Sequence, residues 1–288
     1  MRFGFLEEHR GEIGPVKKAC GPMKASRSGF YERLPRKKPN AQIGREALEG
    51  FVVEAFHRHK GRCGCRRIDR ELRKSGIAMS EKRVPHIMRK LGLAGRGATR
   101  KRRIQKKAEP GGPRLNLAER AFAAGGRNGL RAGGIACLPT REGRPYLAAA
   151  TGAFSRKVVG WSMSGRIAEK VAIDAIGRAV GREGPPDDGG LVFHDDQGAQ
   201  HASRSFRRCL DSHGIVQSAS RPGTPPDNAV AEPFVETLKR ESAKGRSHGT
   251  RDEAKQDIFK YIELYYNRVR MRSTLGCMSP VEYERQYV

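Results

Sequence analysis

The carboxylates best placed for chemistry lie at two points in the second half of the chain. Asp195 and Asp196 follow the apolar run Leu191-Val192-Phe193-His194, which reads as a buried strand ending in the turn Asp195-Asp196-Gln197-Gly198. An acid just past a buried strand is set to meet a ligand, because the loop is exposed while the strand holds it rigid. Glu232 ends the stretch Pro225-Pro226-Asp227-Asn228-Ala229-Val230-Ala231-Glu232, ahead of the helical run Val235 to Glu241. Taken singly, each of these acids reads as a solvated surface group. Two other groupings invite a chemical reading and do not sustain it. His57, His59, Cys63 and Cys65 suggest zinc, but a Cys-x-Cys pair is tighter than the usual gap of about two to four residues. Ile258, Tyr261, Ile262 and Tyr265 form a stripe of the kind that stacks on bases, yet its helical spacing points to core.

The elements that must position these acids are strands alternating with helices. Tyr146 to Ala150 and Lys157 to Met163 read as a hairpin, and Ala168 to Arg182 as an amphipathic helix with Ala172, Ile176, Ala179 and Val180 on one face. The order strand, strand, helix, strand, helix implies a mixed sheet flanked by helices. The first half is helical: Leu48, Phe51, Val52, Ala55 and Phe56 recur at helical spacing. Arg66 to Ser75 and Ser80 to Leu91 then read as a helix-turn-helix, with Ser80 as the cap of the second helix and Pro85 as a blemish inside it. A smaller pair, Val16 to Cys20 and the run from Ser26, precedes them. A stretch rich in Lys, Arg, Pro and Gly, from Gly95 to Pro113, separates the halves as a linker.

Charge points to the partner. Of 288 residues, 57 are Lys or Arg and 31 are Asp or Glu, a net of +26, and residues 1–110 alone carry +19. Such a surplus calls for a polyanion, since each cation that neutralises a phosphate releases condensed counterions. Arg66, Arg67, Lys82, Arg83, Arg89 and Lys90 around the helix pair, with Lys101-Arg102-Arg103 of the linker, are the expected DNA contacts. No apolar run approaches the ~18 residues that span a bilayer, no signal peptide is read at the N-terminus, and six dispersed cysteines read as free thiols, so a cytoplasmic, nucleoid-associated protein with no membrane partner is expected.

Read together, His194-Asp195-Asp196-Gln197-Gly198-Ala199-Gln200-His201, the run Asp227 to Glu232, Phe154 to Trp161, and Tyr266-Asn267-Arg268 through Leu275-Gly276 to Ser279-Pro280 resemble the bacterial insertion-sequence transposases with a retroviral-integrase-like catalytic core. Asp196 and Glu232 leave thirty-five residues between them, the spacing of that family, where Asp195 would leave thirty-six. The resemblance runs over nearly the whole chain. It implies an α/β, ribonuclease-H-like mixed sheet flanked by helices, preceded by an all-α helix-turn-helix region. The expected divisions are a helical segment at 1–40, the DNA-binding domain at 41–98, a basic linker at 99–118 and the integrase-like core at 119–288. It further implies two Asp and one Glu around two divalent metals, Mg²⁺ or Mn²⁺, which cut a phosphodiester at the element's end and join the freed 3′-hydroxyl to target DNA. Asp196 and Glu232 are then metal ligands, Asp227-Asn228 shape the loop before the Glu-bearing helix, and Lys239 faces phosphate. Element ends and target DNA, a homo-oligomer on DNA and fusion to an upstream-frame product are the implied partners.

One departure matters more than the match. The family's first Asp falls on the first strand, and aligning Ile135 to Thr140 with that strand's end puts Gly134 in its place. An enzyme impaired at that carboxylate, or an inactive DNA-binding remnant, is therefore expected. Arg131 likewise stands where Trp is usual, Gly152 for Asp, Cys63, Cys65, Cys137 and Cys277 for Tyr, His201 for Tyr, and Pro233 for Ser. Each is a single A-to-G or T-to-C transition away, the pattern of a decayed copy or of error-laden nucleotide sequence.

Overall fold

A computed structural model of the chain describes residues 2–9, 16–33, 40–96, 116–117, 126–184, 190–196, 198–220, 230–243 and 248–287. Its residues fall into two compact units, Met1–Ala55 and Phe56–Val288. The linker residues Lys101, Arg102 and Arg103, and the loop residues Asp227 and Asn228, lie outside the described residues.

The first unit holds α1 (Arg2–Glu8), α2 (Val16–Cys20), α3 (Arg27–Arg33) and most of α4 (Asn40–Arg58). Leu6, Ala19, Cys20 and Phe30 form a small core there. Ser26 caps α3 as its sequence position predicts, accepting the Gly29 amide at 3.3 Å.

The second unit opens with α5 (Cys65–Lys74) and α6 (Arg83–Lys90). The expected start of α6 is corrected. Lys82 takes the cap position with no side-chain hydrogen bond, and Ser80 offers only its carbonyl, to the Arg83 amide at 2.9 Å. The later start removes the difficulty of Pro85, which now lies in the first turn, where helical N–H groups have no intrahelical partner. Ile68, Leu72, Val84, Ile87 and Met88 turn inward.

The sheet follows with β1 (Leu130–Cys137), β2 (Tyr146–Gly152) and β3 (Val158–Ser164), then α7 (Glu169–Glu183), β4 (Val192–Asp195), α8 (Ala199–Ala202), α9 (Arg204–Asp211) and β5 (Val216–Ala219). Its strand order is β3-β2-β1-β4-β5, antiparallel from β3 to β1 and parallel from β1 to β5, the mixed sheet that the order of elements implies. α10 (Glu232–Leu238) runs on as a π-helical segment, Lys239–Ala243, and α11 (Arg251–Phe259) as another, Lys260–Tyr266. α12 (Pro280–Glu284) begins in a capping box in which Ser279 and Glu282 bond reciprocally.

The alternation of side chains along the strands, broken in β3 by a bulge at Val159, sorts the core into layers. On one face Leu147, Ala149 and Trp161 meet Phe234, Leu238, Ile258, Tyr261 and Ile262, so the aromatic stripe is core as its spacing predicts. On the other face Ala150, Val159 and Phe193 meet Ile176, Ala179, Phe206 and Leu210. α7 approaches β3 so closely that a Cβ on Gly160 would lie 2.2 Å from the Ala175 carbonyl oxygen, which only glycine allows. Asn267 clamps the same strand, accepting the Val158 amide and donating to the Val158 carbonyl, both at 3.0 Å.

A buried ion pair joins the core to the helix pair. Glu241 is sealed from solvent and takes three hydrogen bonds from Arg270 at 2.8 to 3.1 Å, one from Tyr261 at 2.9 Å and one from Arg67 at 3.3 Å. Its backbone carbonyl accepts from Arg62 and Arg96. Burial alone would raise the Glu241 pKa, but Arg270 outweighs it and the carboxyl sits below its ordinary range. Removing one partner strands the other charge, so Glu241→Leu is expected to cost about 3–5 kcal/mol, and Glu241→Leu with Arg270→Met considerably less. Urea denaturation of the two variants checks this.

Arg131 is the opposite case. It is 1 % exposed on β1, donates from Nη2 to Asn128 at 3.0 Å, and its Nε and Nη1 find no partner among the described residues. Burial lowers its pKa. Arg131→Met is expected to raise stability by about 1–3 kcal/mol, read as a higher urea midpoint.

His59, also buried, pairs through Nε2 with Glu71 and stands edge-on to Tyr265. Burial opposes a charge on the ring, but Cys63 and Glu71 outweigh it and raise the pKa from 6.5 to about 9. A raised folded-state pKa gives stability that is complete below the unfolded value and lost as pH rises through the folded one. Stability should therefore fall between pH 6.5 and about 9, and His59→Asn should flatten that slope in denaturation series at several pH values.

Candidate functional site

The acids at the end of β4 separate by strand geometry. Asp195, still in the strand, is fully buried and accepts from Gln217 Nε2 at 2.8 Å, so it serves the fold. Asp196, one residue on, turns outward with 53 % of its side chain exposed. Its Oδ1 accepts the Gly198 amide at 3.2 Å, an Asx turn that orients the carboxylate, and lies 3.7 Å from His201 Nδ1. Partial desolvation would raise its pKa; His201 and the Gly198 amide outweigh that and hold it below the ordinary value, so Asp196 is an anion at neutral pH. His194 steadies the strand end, its ring nitrogens in hydrogen bonds with Ser218 at 2.9 Å and Ser220 at 3.1 Å.

Gly134 sits in β1 opposite Ala149 of β2. The parallel register with β4 pairs Ala132 with His194, and two residues further on each strand bring Gly134 level with Asp196. A Cβ at Gly134 would point to α10, 3.3 Å from Ala231 Cβ and 3.5 Å from Val235 Cγ2. A Cβ at Gly133 would point to the other face and lie 2.2 Å from Phe193 Cζ. Of these two glycines, only Gly134 has room for a Cβ, on the face that α10 covers.

Glu232 is the first residue of α10 and is half-buried. Pro233 falls in the first turn of that helix, where its missing N–H costs nothing, so the proline leaves the helix intact. Val235 of the same helix packs at Gly134, which brings the Glu232 helix against β1. The middle of β1 and the first turns of α10 thus meet on one face of the sheet, with Asp196 at the end of β4 level with Gly134.

His201 went unread as a site residue. It is buried between the edges of Phe193 and Phe206, and its ring lies with Asp195 and Asp196 in a group whose ligand atoms are all within 4.8 Å of one another. Glu232 is not in that group. The sequence signal was present in the run His194 to His201, but a helix of four residues, Ala199–Ala202, is too short to show periodicity.

The expected DNA contacts divide. Arg66, Lys82, Arg83, Arg89 and Lys90 are exposed on α5 and around α6, and Lys239 is exposed where α10 passes into its π-helical extension. Arg67 is half-buried and directed to Glu241, so part of its role is structural.

Residues 128–225 and 232–288 match two families each described as "Integrase core domain", and residues 44–103 match the "HTH-like domain" family. The transposase for insertion sequence element IS904 of Lactococcus lactis subsp. lactis (strain IL1403) is 41% identical over 252 residues, covering 88% of this chain and 99% of its own. Transposase InsF for insertion sequence IS3A of Escherichia coli (strain K12) is 34% identical over 288 residues, covering 99% of each. Among solved structures, a simian T-cell lymphotropic virus intasome in complex with PP2A regulatory subunit B56 gamma superposes with a TM-score of 0.44 at 14% identity, over 81% of this chain and 74% of that one, which says nothing of function. On the identity and coverage of its sequence relatives, the chain belongs to the insertion-sequence transposases with an integrase core and an HTH-like region.

Proposed function

We propose that this chain binds the ends of an insertion sequence and is built for metal-dependent cleavage and strand transfer there, with the chemical step disabled by the loss of one carboxylate. The observation that carries this reading is Gly134, level with Asp196 and aimed at the Glu232 helix, yet bearing no side chain. In this reading Asp196 and Glu232 are the remaining metal ligands. Asp196 is exposed and held ionised, as a ligand to a hard cation must be.

The donors present fit one divalent cation, Mg²⁺ or Mn²⁺, better than two. A two-metal site needs a carboxylate shared between the ions, and the backbone of Gly134 has none to offer. Asp196 and Glu232 retain the capacity to hold one cation near a phosphodiester, while Lys239 and the exposed cations of α5 and α6 hold the DNA. Assembly as an oligomer on paired ends and fusion to an upstream-frame product belong to the same proposal, as does action at the nucleoid. Among the described residues no helix is long and apolar enough to cross a membrane.

A second reading, a DNA-binding remnant with no chemistry left, draws support from Arg131, a buried charge with two unsatisfied nitrogens in the same strand as Gly134. One experiment separates the two. The Cβ of Gly134→Asp requires Ala231 to yield by a few tenths of an ångström and meets Val235 at ordinary contact distance. Duplex DNA carrying the element's own ends, incubated with Mg²⁺ or Mn²⁺, should give cleaved and joined product with the variant at least ~100-fold faster than with the parent, since each ~1.4 kcal/mol of restored transition-state stabilisation is tenfold in rate. Activity in both proteins would mean that another group completes the site. Silence in both, with DNA binding intact, would establish the remnant.

A further inference from the structure

Two hollows that meet along α5 hold more arginine than the helix pair needs for packing. The larger, of about 830 Å³, is lined by Arg66, Arg70 and Arg73 of α5, by Pro85 of α6, and by Met271 and Cys277 of the segment ahead of α12. The smaller, of about 590 Å³, adds Arg62, Arg96 and Arg240. Both include Cys65, Arg66 and Arg67, so they form one continuous trough. Seven guanidinium groups line it against the carboxylates of Asp69, Glu81 and Glu241.

Asp69 and Glu241 hold five of the seven: Asp69 pairs with Arg73 at 2.8 Å, and Glu241 meets Arg67 and Arg240 with its carboxylate and Arg62 and Arg96 with its backbone carbonyl, which leaves Arg66 and Arg70. Arg66 and Arg70 are exposed, and no hydrogen bond or ion pair engages either among the described residues. They lie four residues apart on one helix face, where like charges destabilise by about 0.2–0.5 kcal/mol. An anion seated between them removes that repulsion. Four residues of helix rise ~6 Å, about two phosphates of one strand at ~3.4 Å of duplex axis each.

The trough also has a direction. Its far end reaches Arg240, eight residues past Glu232 on the same continuous helix, roughly 12 Å along its axis. At its near end lie α5 and the first turn of α6.

We propose that this trough seats one phosphodiester backbone of duplex DNA and leads it from the helix pair to the helix that bears Glu232. This rests on the DNA-binding reading above and extends it: the first helix of the pair and the segment before α12 become DNA contacts, and the distance from the bases read by α6 to the phosphodiester at the core is set by a built path.

The test is fluorescence anisotropy of the full chain with a mixed-sequence duplex across a salt series. Arg66→Gln with Arg70→Gln is expected to weaken binding about tenfold or more at moderate salt and to lower the slope of log K against log salt by about 2, since each phosphate contributes ~0.9. The thermal unfolding midpoint should not fall, because neither side chain supports the fold and their mutual repulsion is removed. DNA should also shield Cys65 and Cys277, which line the trough, from alkylation by N-ethylmaleimide while Cys209 keeps its rate. A parental slope in the double variant, or unshielded thiols, overturns the trough. Lys82→Gln with Arg89→Gln is the control: if it weakens binding while the α5 variant does not, the DNA reading stands and the trough falls. If the parent binds no duplex at all, both fall.

Discussion

The buried carboxylate of Glu241 is the constraint on which the rest of the second unit depends. A lone carboxylate under protein would neutralise or draw in water; this one is met by a guanidinium on both oxygens and by a tyrosine hydroxyl, so its charge is fully answered. Its partners come from far along the chain: Arg67 from α5, Tyr261 and Arg270 from the α11 extension and the turn after it. Because the geometry of such a pair is exacting, it fixes more than it stabilises. It holds the helix that starts at Glu232 against the α11 extension and the turn after it, and it ties the helix pair to that helix through Arg62, Arg67 and Arg96.

The same low-dielectric interior explains why Arg131 and Glu241 differ although both are buried charges. Glu241 sits among donors that meet both of its oxygens, whereas Arg131 reaches one amide oxygen and leaves two nitrogens unanswered. Arg131 and Gly134 are neighbours on β1, the central strand that meets β2 on one side and β4 on the other. A fold can tolerate a buried mismatch and an absent side chain on its central strand as long as the layers on both faces remain packed, and here they do.

Two glycines in succession on β1 serve opposite ends. Gly133 is demanded by Phe193, whose ring occupies the space a Cβ would take. Gly134 meets no such obstacle: the space beside it is tight but admits a Cβ once Ala231 gives by a few tenths of an ångström. Alternation along the strand sends the two to opposite faces, and only the second faces the helix that begins at Glu232.

The sequence by itself determined the family, the mixed sheet and the helix pair. Each rests on local pattern or on spacing along the chain, which periodicity and motif order preserve. It missed β5, four residues with little apolar signal, and α9, whose three arginines mask its apolar face. It set the start of α6 too early, because Ser80 looked like a cap and only the packed turn shows that it is not. Tertiary structure alone decided the Glu241 hub, the burial of Arg131, the Asn267 clamp on β3 and the place of His201 beside Asp196. These are contacts between residues as much as 179 positions apart, and which polar groups meet under protein is settled by how layers pack, a quantity no local pattern encodes.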